Sequence, residues 1–152
     1  IRDRLESVGF AGESLLSQAV LSDAKSGAKD GLSVIVSDFL TDNDWKKAVD
    51  YLCYLHKQIL LIQVLTPEEE EPSYSGRVNL IDLESADLSD ERNMKLRITG
   101  SMHSAYNEAM ADLKAEIKEF CVSRGAEFVS VRSDRPIEKM LFGELLKVGI
   151  MG

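Results

Sequence analysis

Apolar residues return along this chain in two rhythms, and their succession predicts the order of its elements. Between Gly12 and Lys25, the residues Leu15, Leu16, Ala19 and Val20 recur at the spacing of a helix that buries one face. The string SGAKDG, 26–31, interrupts that rhythm with two glycines. LSVIV, 32–36, then runs without alternation beyond one serine, as a strand covered on both faces of a parallel sheet does, and stops at Ser37-Asp38. Across TDNDWKKAVDYLCYLHK, Thr41 or Asp42 is placed to cap a helix whose Trp45, Val49, Leu52, Cys53 and His56 share a face. QILLIQVL, 58–65, repeats the character of the first strand. Helix, strand, helix, strand is how a parallel α/β sheet is written.

The rhythm changes after residue 65. TPEEEEPSYSG reads as a loop rich in Pro and Glu, and RVNLIDLE and MKLRITG read as two extended pieces joined by the polar SADLSDERN. Together they predict a β-hairpin inserted at 76–99. A long helix follows, with Ser101 as its cap and Tyr106, Ala109, Leu113, Ile117, Phe120 and Cys121 in one stripe. Gly125 stands where helices stop. EFVSV reads as a third buried strand, and SDRPIEKMLFGELLKVG as a last helix, with Pro136 in its first turn and Gly149 after its end. The fold class expected is α/β: a three-layer, mainly parallel sheet flanked by helices, with residues 1–152 forming one domain.

Composition narrows the function classes. With 26 acidic against 18 basic side chains the net charge is −8, a field that repels a phosphate backbone, so nucleic acid is not an expected partner. The chain's 152 residues suffice to bury roughly two-thirds of the unfolded surface around one core. The longest apolar runs fall far short of the ~20 residues of a membrane-spanning helix, so no membrane insertion by this segment is expected. Cys53 and Cys121, the only cysteines, each sit in an amphipathic helical pattern, which predicts reduced, buried thiols and a cytoplasmic setting. The chain lacks an initiator Met, so the expectation is a fragment of a longer protein, whose other parts could carry a membrane anchor.

In a parallel sheet the loops after the strands share one edge, where open α/β folds bind ligands. Those loops supply Ser37 and Asp38, then Thr66 with Glu68 to Glu71, then Ser133 and Asp134. Each has a plainer role: Asp38 and Asp134 can satisfy backbone N–H groups at turns, and the glutamate run can be a solvated loop. Asp42-Asn43-Asp44 lacks the Gly and distal Glu of a calcium loop. No G-x-S-x-G elbow and neither phosphate-binding glycine motif occurs, and His56 and His103 lie in helical patterns rather than strand-end loops.

The order VIVSDFL, a Trp-bearing helix, LTPEEEEPSYSGRVNLIDLES, a helix containing Tyr106 and VRSDRPIEKML resembles the domain-of-unknown-function family 58, from about Gly12 to the end. Members of that family are bacterial proteins with a von Willebrand factor A-like domain, often encoded beside MoxR-type AAA+ ATPases. Where the family commonly has Asp-Pro after the second strand, this chain has Thr66-Pro67, while Gly76 and Asp82-Leu83-Glu84 match the rest.

The resemblance implies a divalent-ion site made of an Asp-x-Ser-x-Ser loop, a Thr and a later Asp. Asp38 resembles the third element and Ser14 the second, with Ser for Thr, but no Asp-x-Ser-x-Ser string occurs. These are remnant metal positions, expected to be empty, with Mg²⁺ binding only if the missing element is supplied. No other cofactor and no catalytic residue is expected. The resemblance also implies that the chain holds the fourth, fifth and sixth strands of such a sheet, leaving 32–36 with an open edge. The function expected is an interaction module, not an enzyme, for a protein partner such as a MoxR-type AAA+ ATPase, with homo-oligomers through the open edge or through apolar helix faces left uncovered. The alternative is a metal-dependent hydrolase using strand-end carboxylates.

Overall fold

The computed structural model describes residues 16–17, 19–20, 31–40, 44–73, 76–80, 94–140 and 143. Its central feature is a parallel three-stranded sheet with flanking helices, the α/β class that the hydrophobic rhythm predicts. The strands are β1 (Leu32–Ser37), β2 (Gln58–Leu65) and β5 (Glu127–Arg132), in the order β1-β2-β5. β2 and β5 run parallel from Leu60 opposite Glu127 to Leu65 opposite Arg132. A second, antiparallel pair joins β3 (Gly76–Leu80) to β4 (Met94–Ile98), with Gly76 opposite Ile98 and Leu80 opposite Met94, inside the span predicted as a hairpin. Among the described residues no helix is long and apolar enough to cross a membrane.

The expectation that all three parallel strands are covered on both faces holds for β2 alone. Ile59, Leu60, Leu61, Gln63 and Leu65 are buried there, so both sides of the strand are shielded. β1 alternates instead: Ile35 is buried, whereas Leu32, Val34 and Val36 are 46, 47 and 62% exposed. Successive side chains on a strand point to opposite faces, so β1 has one covered face, carrying Ile35, and one exposed face, carrying Leu32, Val34 and Val36.

The chain divides into two compact units. The first comprises 1–33 and 39–59. Leu16, Ser17, Ala19 and Val20 fall within the first predicted helix and all four are helical, while the other residues of that helix lie outside those described. Helix α1 (Trp45–Tyr54) buries Trp45, Ala48, Val49 and Leu52, and Phe39 meets Trp45 edge-on with ring centroids 5.7 Å apart. The helix starts later than expected, with Asp44 at the N-cap position but no side-chain cap bond; Thr41 and Asp42 lie outside the described residues. A hydrogen bond from Ser17 and the charge of Lys47 hold the Asp44 carboxyl below its ordinary pKa.

The end of α1 also differs from expectation. His56 is not on the apolar face of a helix but exposed beyond its end, with φ +56°. Its N–H donates to the Cys53 carbonyl and that of Lys57 to the Leu52 carbonyl, the paired bonds that close a helix through a left-handed residue.

The second unit comprises 34–38 and 60–152. Its long helix α3 (Gly100–Val122) begins one residue before the predicted cap, after Thr99, and buries Met110, Ile117 and Cys121. Ala109, predicted in the apolar stripe, is exposed, and Met110 takes the inward position: one turn back from Cys121 lies Ile117, and about two further turns back lies Met110. Beyond its last residue the helix is closed by Gly125, φ +65°, with the Ala126 N–H donating to the Cys121 carbonyl. Leu60, Val129 and Val131 form a buried cluster with Ile62 and Val64 packed against it. Neither cysteine is in a disulfide; Cys121 is buried as expected, whereas Cys53 is half-buried.

Candidate functional site at the strand-end edge

The strand register carries Ser37 and Asp38, Thr66, and Ser133 and Asp134 to the ends of β1, β2 and β5. After β2 the chain does not enter a solvated loop, as the glutamate run suggested, but one turn of helix, α2 (Pro67–Glu70). The Thr66 hydroxyl accepts from the Glu69 N–H at 3.2 Å, and the Glu69 carboxylate accepts from the Thr66 N–H at 2.7 Å. With Pro67 in the first turn, this reciprocal capping box explains why T-P-E-E folds locally. The Thr66 side chain therefore serves as the N-cap of this turn.

Glu70 links this turn to two other elements. Lys114 of α3 donates to its carboxylate at 2.7 Å, and Arg132 at the end of β5 approaches it at 3.7 Å. Arg132 in turn grips Asp134 with two parallel bonds, Nε to Oδ1 at 3.1 Å and Nη2 to Oδ2 at 2.8 Å. The guanidinium beside Asp134 holds that carboxyl below its ordinary pKa, and Asp134 raises that of Arg132. One residue earlier, the Ser133 N–H donates to the Leu65 carbonyl at 2.9 Å and prolongs the β2–β5 ladder. The Tyr106 hydroxyl, on α3, donates to the Glu69 main-chain carbonyl at 2.6 Å. Burial, then the Glu69 charge, raise its pKa.

Asp38 is held differently. Its main-chain carbonyl accepts from Gln63 Nε2 at 2.9 Å, while Gln63 Oε1 accepts from the Ser130 hydroxyl at 3.0 Å. Gln63 is fully buried, and its register partner on β5 is Ser130, so one amide ties the exit of β1 to both neighbouring strands. Asp38 itself is half-buried, as is Ser37; Phe39, next along, has φ +58°.

This edge is an ion-paired closure more than a ligand cluster. Thr66 and Asp134 are brought into one network through Glu70 and Arg132, whereas Asp38 joins the sheet through Gln63. Ser14 and the Asp82–Glu84 motif lie outside the described residues. The carboxylates of Glu70 and Asp134 face cations, and among the described residues no group of three His, Cys, Asp or Glu is placed to hold a metal ion. Sequence reasoning missed Gln63, Tyr106, Lys114 and Arg132. Gln63 had a signal, a single amide inside ILLIQVL, and T-P-E-E carried the capping pattern; the cations had none.

Known proteins share parts of this chain. A family described as "Protein of unknown function DUF58" matches residues 11–116. The chain is 27% identical over 128 residues to the uncharacterized protein MAV169 of Mycobacterium avium, covering 84% of this chain and 71% of that one. It is 30% identical over 105 residues to the uncharacterized protein Rv1480 of Mycobacterium tuberculosis, covering 69% of this chain but 31% of that one. No solved structure matches at a significant level.

Proposed function

This chain belongs to the domain-of-unknown-function family 58, and from that premise we propose that it is a protein-interaction module, the C-terminal part of a von Willebrand A-like domain. The observation that carries the reading is the outer face of β1. Leu32, Val34 and Val36 form a row of exposed apolar side chains on a strand, LSVIVS, that carries no charge or proline to blunt it, and such rows mark interaction surfaces. The strand-end carboxylates favour the same reading, because Glu70 and Asp134 are engaged by Lys114 and Arg132 instead of being left to bind a metal. The partner class proposed is an AAA+ ATPase of the MoxR type, and a second copy of this chain can use the same row.

The test is co-purification of the intact protein with ATPases encoded beside it. Val34→Asp and Val36→Asp place charge on exposed positions, so they should abolish capture while leaving the thermal transition in place. Capture that survives both substitutions overturns the β1 face as the contact, and failure to capture any such ATPase overturns the partner class. A strictly monomeric chain by light scattering at high concentration counts against self-association. The hydrolase reading has less support and a separate test. A ligand that binds only the folded state raises its melting temperature, so no shift in millimolar Mg²⁺ or Mn²⁺ removes metal binding by this segment.

A further inference from the structure

We draw no further inference here: the strongest candidate, the exposed apolar row Leu32, Val34 and Val36 on the outer face of β1, is the surface on which the interaction reading already rests, and nothing in the structure shows what covers it.

Discussion

Replacing Gln63 by Glu makes the stability of this protein depend on pH in a direction that the geometry dictates. The native side chain is fully buried, donates to the Asp38 carbonyl at 2.9 Å and accepts from Ser130 at 3.0 Å. A protonated glutamic acid has the same shape and can make both bonds, its O–H replacing Nε2 as the donor. An ionised one cannot, since a carboxylate oxygen would face the Asp38 carbonyl oxygen without a proton between them. Burial and this contact both raise the folded-state pKa of the introduced carboxyl above its unfolded value, near ~4.3. For a raised acid, stability is intact below the unfolded pKa and is lost as pH rises toward the folded one. The loss grows by about 1.4 kcal/mol per pH unit above about pH 4.3, and reaches about 3 to 4 kcal/mol near pH 7 if the acid stays protonated in the fold.

The assay is urea denaturation of parent and variant at half-unit steps from pH 4 to 7.5, comparing midpoints at constant slope. Near pH 4 the two should nearly coincide and then diverge. A Gln63→Leu control loses both bonds at every pH, for a constant cost of about 1 to 3 kcal/mol from the two buried hydrogen bonds removed. An offset for Gln63→Glu that is equally flat from pH 5 to 7 would refute the reasoning, because it would mean that water reaches the site.

Other outcomes follow from single contacts. Thr66→Ala removes one half of the capping box and should lower stability by about 1 kcal/mol in the same urea assay. His56→Gly relieves a left-handed backbone at the end of α1 and should raise stability by about 1 kcal/mol, while Gly125→Ala, which meets no atom within 4 Å, should lower it by a similar amount through backbone strain alone. In an NMR titration Asp134 should protonate below the ordinary carboxylate range, and Arg132→Met should return it there; the pair's stabilising effect is present above that range and lost as pH falls through the folded pKa. Tyr106→Phe should cost about 0.5 to 1.5 kcal/mol for its bond to the Glu69 carbonyl, read by thermal unfolding.

The sequence by itself determined the kind and order of the elements, because burial rhythm is a local property of the chain. QILLIQVL could only be a covered strand, the Trp45 helix and the long helix followed from their apolar spacing, and Gly125 marked a stop that needs a left-handed residue. Tertiary structure decided what each strand end does. Lys114 lies 44 residues from Glu70 and Ser130 lies 67 from Gln63, and nothing within either segment indicates the pairing. Those partners meet because β5 lies beside β2 and α3 packs along β5. In β1 only one face is covered, so a run that reads as doubly buried instead presents Leu32, Val34 and Val36 to solvent. An apolar run reports that a strand has a buried face; only the neighbours placed on either side decide whether it has one or two.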